Sequence, residues 1–232
     1  MTKITSPFLG ELSPMKAINV WFKTLVISFL CVLFGQIPTR AQVPAVTFFQ
    51  VSSNAVFNVN ATVGYSFKAN STFNVPALGF YDLDQNGLKS SHPVGLWSSA
   101  GTLLGDVTIG AGTSTPIGVG PRNGFRYAPL PAPITLSAGE TYYVGGLDYA
   151  SGSGQADGFI FTGNLFAANS QITYLQPQFN STSSTLAFPG SNGSGGPGFF
   201  GGSFLIASAP EPTSMILMIG SGLMFLARRR RA

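Results

Sequence analysis

Leu136-Ser137-Ala138-Gly139-Glu140-Thr141-Tyr142-Tyr143-Val144-Gly145 reads as strand, tight turn, strand. Ala138-Gly139 supplies the turn, and Tyr142 and Val144 fall on one face of the strand that follows. The same alternation recurs in Val63, Tyr65 and Phe67. A side-chain period of two is the mark of a sheet with one face against a core.

Outward from this hairpin the body keeps one rhythm. Strands are predicted over 46–51, 62–68, 73–81, 94–98, 103–109, 125–130, 134–136, 141–149, 158–162, 171–175 and 200–207. Turn signals separate them: Gln85-Asn86-Gly87, Ala100-Gly101, Asn123-Gly124 and Asp157-Gly158. Residues 165–170 are expected to be a short helix or a loop. Pro116, Pro121, Pro129, Pro131 and Pro133 cluster around one strand. Proline cannot donate to a ladder, so that strand is expected to be short or at an edge. The stretch 189–202 (PGSNGSGGPGFFGG) is expected to be a long flexible loop. It lacks the lysine and following helix of a phosphate loop. The fold class expected is all-β, a single jelly-roll-like β-sandwich flanked by an N-terminal signal helix and a C-terminal transmembrane-type helix.

The chain has 232 residues, and only 9% are charged, against roughly 25% in an average soluble protein. Its net charge of +4 invites a nucleic-acid reading. The distribution removes it. Residues 1–41 carry Lys3, Lys16, Lys23 and Arg40 against Glu11, and residues 211–232 carry Arg228, Arg229, Arg230 and Arg231 against Glu211. The body between them is mildly acidic: Lys68, Lys89, Arg122 and Arg126 face Asp82, Asp84, Asp106, Glu140, Asp148 and Asp157. Without a clustered basic face, no nucleic-acid partner is expected.

The N-terminal end reads as an export signal for the Sec translocon, over residues 1–41. Met15-Lys16 opens a basic region, and Met15 is the expected true start. TLVISFLCVLFG (24–35) follows, too short for a comfortable membrane span. Thr39-Arg40-Ala41 places the cut between Ala41 and Gln42. The alternative is an uncleaved anchor helix. The single cysteine, Cys31, lies inside this signal, so disulfides, thiolate metal sites and thiol catalysis are not expected of the mature chain.

The C-terminal end, 209–232, has three parts in order. Pro210-Glu211-Pro212 is a stiff joint, residues 213–227 form an apolar stretch, and Arg228, Arg229, Arg230 and Arg231 form a basic stop. As a helix, 213–227 would be about 22 Å long at ~1.5 Å per residue, barely spanning a ~30 Å hydrocarbon core. The arginines would stay cytoplasmic. This tail resembles the PEP-CTERM sorting signal of exopolysaccharide-producing Gram-negative bacteria. The resemblance implies an exosortase as partner, cutting near Pro210, Glu211 and Pro212. It also implies transient residence in the inner membrane through 213–227, then release to the cell surface or matrix. An ordinary tail anchor is the alternative.

Across roughly residues 46–165 the body carries Val63-Gly64-Tyr65-Ser66-Phe67, Ala77-Leu78-Gly79-Phe80-Tyr81-Asp82, Val94-Gly95-Leu96-Trp97, Gly101-Thr102-Leu103-Leu104, Phe125-Arg126-Tyr127 and the opening hairpin. In this order they resemble an uncharacterised β-sandwich domain of secreted bacterial proteins, often attached to surface and carbohydrate-active proteins. That resemblance implies a sandwich but no activity.

Catalytic chemistry is scarce. His92 is the only histidine. A Ser-His-Asp site would have to use it, with Ser90, Ser91 and Asp84 nearby. A solvated loop histidine is expected instead, and no catalytic residue is assigned. Asp82-Leu83-Asp84-Gln85-Asn86-Gly87 matches the first half of a calcium loop. Asp82, Asp84 and Asn86 are therefore candidate calcium ligands. The acid expected at the twelfth position is replaced by Pro93, and the same residue types also favour a plain turn. The six acids of the body form no recognisable glycosidase pair. Trp97, Tyr127, Tyr142, Tyr143 and Tyr149 are available as sugar-stacking aromatics, although most aromatics in such strands are core.

The organisation expected is therefore a signal over 1–41, a β-sandwich over 42–188, a Gly/Ser-rich loop and last strand over 189–208, and a sorting signal over 209–232. The function expected is that of an exported, non-catalytic surface or matrix protein. A carbohydrate-binding module acting on exopolysaccharide is the alternative, and a secreted hydrolase the third reading.

Overall fold

The computed structural model describes residues 41–50, 54–83, 85–115, 124–161, 165–194 and 198–207. The chain divides into Met1–Thr39 and Arg40–Ala232, and all described residues belong to the second unit. The signal and tail helices expected from sequence lie outside the described residues. Among these residues no helix is long and apolar enough to cross a membrane.

The strands are β1 (Gln42–Pro44), β2 (Val46–Gln50), β3 (Asn54–Ala55), β4 (Ala61–Ala69), β5 (Phe73–Tyr81), β6 (His92–Ser98) and β7 (Leu103–Ile109). They continue as β8 (Phe125–Leu136), β9 (Thr141–Asp148), β10 (Phe159–Ile160), β11 (Leu165–Ala168), β12 (Ile172–Asn180), β13 (Ser191–Asn192) and β14 (Gly202–Ala207). One sheet has the order β1-β14-β5-β8, and the other β13-β12-β4-β9-β6-β7. Two small ribbons, β10-β3 and β11-β2, complete the set. All pairings are antiparallel. The described residues are thus all-β and form a β-sandwich, as the alternation predicts.

The pairing is nested. β1 pairs with β14, β4 with β9, β5 with β8, and β6 with β7. Early strands meet late ones in reverse order, as in a long hairpin rolled onto itself. Between the sheets lies an aromatic core. Phe200 packs at 5.0 Å from Phe48, 5.3 Å from Tyr65 and 4.8 Å from Phe166. Phe67 packs at 4.8 Å from Phe204. Each buried phenylalanine stabilises by roughly 1.5–3 kcal/mol relative to exposure. Gly202 shows how closely the sheets approach: a Cβ there would lie 2.6 Å from the Gly145 carbonyl carbon and the Gly146 nitrogen.

The proline-rich strand lies at a sheet edge, one of the two places expected for it, and it is long: β8 runs through Pro129, Pro131 and Pro133, with its register shifting opposite Val75 and Ala77. Two other expectations are corrected. Residues 165–168 are neither helix nor loop but β11, paired with β2. The glycine-rich stretch does not behave as a free loop where it is described. Ser191–Asn192 pair with β12, and Phe199 and Phe200 are buried.

Candidate functional site

The register divides the sandwich into two poles. Gln42 pairs with Ala207, and Ala207 with Asn74. The ends of the described chain therefore leave from one pole, beside the short connections 70–72, 99–102 and 137–140. Residues 82–91, 110–124 and 149–158 make longer connections at the opposite pole. The body's buried charged side chains gather there.

Asp82 follows β5 and Arg126 lies near the start of β8; both are buried. Arg126 Nε donates to Asp82 Oδ2 at 2.6 Å. Its Nη1 donates to the Thr115 carbonyl at 2.8 Å, and its Nη2 to the Gln85 carbonyl at 3.2 Å. Gly87 N–H also donates to Asp82 Oδ2. The fork of donors on one guanidinium thus ties the 82–91 connection to the 110–124 connection. Gln85 is held at φ 56, the left-handed region that an unbranched side chain rarely adopts. Leu88 and Gly112 exchange backbone hydrogen bonds beyond it.

The second anchor is histidine-centred. His92 Nδ1 lies 2.7 Å from the Leu147 carbonyl, and Nε2 lies 2.7 Å from Asp157 Oδ2. A carbonyl only accepts, so Nδ1 carries a proton. An ionised Asp157 also only accepts, so a ring donating at both nitrogens satisfies both partners. Burial pushes the Asp157 carboxyl up. The hydrogen bond from His92, the Lys89 N–H, the histidine's charge and the Ser90 N–H outweigh it and hold its pKa below the ordinary value. Asp148 behaves in the opposite way. Burial raises its pKa, while the charge of His92 and N–H groups including those of Asp157, Tyr149 and Gly158 oppose the rise. Its Oδ2 is buried without a hydrogen-bond partner.

His92 is therefore not the solvated loop residue expected from sequence. It is fully buried, begins β6, and stacks on Phe80 with ring centroids 3.9 Å apart. The burial comes from Phe80 on β5, from β9 and from the segment carrying Asp157, none of them adjacent in sequence. Ser90 Oγ is 3.3 Å from the same Nε2 that meets Asp157, and it donates to the Gln155 carbonyl. A hydrolytic triad divides the two ring nitrogens between nucleophile and acid. Here serine and aspartate share one nitrogen, and the other is held by a carbonyl.

Of the candidate calcium ligands, Asp82 is the arginine's partner, Asn86 is exposed, and Asp84 lies outside the described residues. The cationic group observed at Asp82 is the guanidinium. Among the described residues, no three His, Cys, Asp or Glu side chains gather in a way that could hold a metal ion. The sugar-stacking candidates also separate. Trp97, Tyr127 and Tyr142 are buried, so they form no exposed platform. Tyr143 lies under Phe188 at 4.8 Å. Tyr149 is half-buried at the charged pole, with its hydroxyl donating to the Ser91 carbonyl.

At the other pole Ala41 is exposed and Gln42 begins β1. Pro210, Glu211, Pro212 and the four arginines lie outside the described residues, the motif starting three positions beyond Ala207. The anchoring roles of Arg126, Asp148 and Asp157 escape a local reading. Their available signal is scarcity: in a chain with so few charges, each retained one is a candidate for a specific partner.

Fold and termini together define a class: an exported β-sandwich protein carrying a C-terminal sorting signal. Residues 43–195 match the family described as Domain of unknown function (DUF4082), and the chain belongs to that family. Residues 208–231 match the PEP-CTERM protein-sorting motif, which marks the chain as an exported substrate of an exosortase. No curated protein and no solved structure matches the chain.

Proposed function

We propose that this is a non-catalytic protein of the cell surface or extracellular matrix of an exopolysaccharide-producing bacterium. The Sec translocon exports it and the signal is removed between Ala41 and Gln42. The 213–227 segment holds it in the inner membrane until an exosortase cuts near Pro210-Glu211-Pro212. The observation that carries this reading is the sorting motif placed three residues beyond the last described strand. The fold supports it, because the nested pairing suits a jelly roll whose two ends leave together. The engagement of both His92 nitrogens supports a non-catalytic body. Replacing Pro210, Glu211 and Pro212 by alanine in the producing bacterium tests the reading. The precursor is expected to accumulate in the membrane fraction; undiminished release would contradict it.

A further inference from the structure

We propose that the seam where β7 meets β8 is a membrane-contact surface, which seats the anchored domain on the bilayer interface until the tail is cut. The proposal rests on the anchoring step of the export reading and adds to it a surface of the body and a lipid partner.

Irregular edges come first. β7 and β8 are edge strands of the two sheets, and each bulges near the pole of the chain ends. On β7, Gly105 pairs with Leu96 and Leu103 with Trp97, so Leu104 is the extra residue. On β8, Ile134 pairs with Val75 and Pro129 with Ala77, so residues 130–133 stand against Pro76 alone. A bulged residue leaves the ladder, and its side chain is re-aimed. Leu103 and Leu104 are 46% and 38% exposed. Pro131, Ala132 and Pro133 are exposed as well, while Leu130 is buried. A Cβ on Gly105 would lie 2.8 Å from Ile134 Cδ1, so the two strands touch beside their bulges.

Surface chemistry is the second argument. Asp106 is the one exposed charge on these two strands, and it lies two residues farther from that pole than Leu104. A contiguous apolar patch of this kind marks a contact. Pro129, Pro131 and Pro133 have no N–H, so this edge offers few donors to an added peptide strand. A lipid interface asks for apolar area and no ladder.

Position selects the occupant. Five residues separate Ala207 from Thr213, where the apolar stretch begins, at most about 20 Å of extended chain. β14 and β8 are two strand spacings apart, roughly 10 Å. The seam is therefore held within reach of the membrane while the tail is intact. A short tether raises the effective concentration of such a surface to about millimolar, so a weak contact suffices. The other large exposed apolar side chains lie elsewhere. Leu175 is on β12, at the far side of the larger sheet from β7. Val59 precedes Ala61, which pairs with Asp148 toward the opposite pole. Phe49 follows Phe48, whose ring packs on Phe125 at the start of β8, toward the same opposite pole.

The test uses the chain from Gln42 to Ala232 reconstituted in phosphatidylcholine vesicles, with and without phosphatidylglycerol. Cys31, the one cysteine, is gone with the signal, so Ala132→Cys places a polarity-sensitive dye at the seam. Its emission should shift to the blue, and spin-labelled lipid should quench it at least twofold in both vesicle types. Leu103→Asp/Leu104→Asp should abolish the quenching with an unchanged melting temperature, and a dye at Leu175→Cys should stay unquenched. Quenching that is absent, that persists in the double variant, that needs phosphatidylglycerol or that is equal at position 175 would overturn the proposal. Shielding of Ala132→Cys from labelling in cells, with no quenching in vesicles, would give the seam to a protein instead. A chain that does not stay with the vesicles defeats the anchoring step and the proposal with it. A chain that stays but is not quenched defeats the seam contact alone.

Discussion

The two poles of the sandwich solve the same problem differently. At the pole holding the chain ends, β4 turns into β5 over 70–72 and β8 into β9 over 137–140. Such turns need little more than a residue that accepts positive φ, as Gly139 does at φ +86, and a few backbone hydrogen bonds such as Gly139 N–H to Ala69. At the opposite pole, 82–91, 110–124 and 149–158 are too long for turn chemistry alone. There the chain concentrates its buried charges, so that single side chains bridge two connections at once. Charge is rare in this body, and where it is buried it acts as internal fastening.

The comparison can be broken at its strongest point. Arg126→Ala strands a buried Asp82 carboxylate and frees two loop carbonyls. Loss of one partner from a buried pair costs about 3–5 kcal/mol, so a large fall in melting temperature is expected in thermal denaturation. A shift of a degree or two would mean that this anchor does not hold the pole.

The histidine anchor sharpens the comparison further. Asp157 has a depressed pKa in the fold, so its contribution is full above the unfolded carboxylate range and lost as pH falls through the folded value. Stability should therefore decline below about pH 4, and Asp157→Asn should flatten that acid limb. At neutral pH the same variant should lose about 1.5–3 kcal/mol, the range for a hydrogen bond to a charged group. Asp148 has a raised pKa, so its ionised form opposes folding as pH rises. Asp148→Asn should be neutral or mildly stabilising at pH 7, measured by chemical denaturation. Equal losses in the two variants would contradict the division of roles around His92.

Among the destabilising changes, the smallest loss belongs to the pole of the chain ends. A Cβ on Gly139 would meet nothing within 4 Å, so only its positive φ opposes substitution. Gly139→Ala should cost about 1–2 kcal/mol, and a larger loss would show that this turn also carries packing.

How much of this was legible depended on distance along the chain. β5 and β7 match their predicted bounds residue for residue, because alternation and flanking turns are local signals. The sorting tail was equally legible, since its three parts are contiguous. β11 was not: Leu165-Phe166-Ala167-Ala168 has no alternation, and pairing with β2 makes it a strand. β1 is only three residues and ends in proline, so its place beside β14 depends wholly on the far end of the chain. The functional residues divide in the same way. Asp82 stands out by its local pattern, yet its partner Arg126 lies 44 positions away. His92 reads as a solvated loop residue in the sequence because the carbonyl and the acid that hold it lie 55 and 65 positions further on.

The central proposal is that the working protein is the body alone, freed of a signal before Gln42 and of a sorting tail after Ala207. Intact mass of the protein released by the producing bacterium tests it most directly. The mature chain should begin at Gln42 and end between Ser208 and Pro212, because β1 and β14 pair through Gln42 and Ala207. A mass that retains the arginine tail, or that lacks either paired strand, would contradict the account.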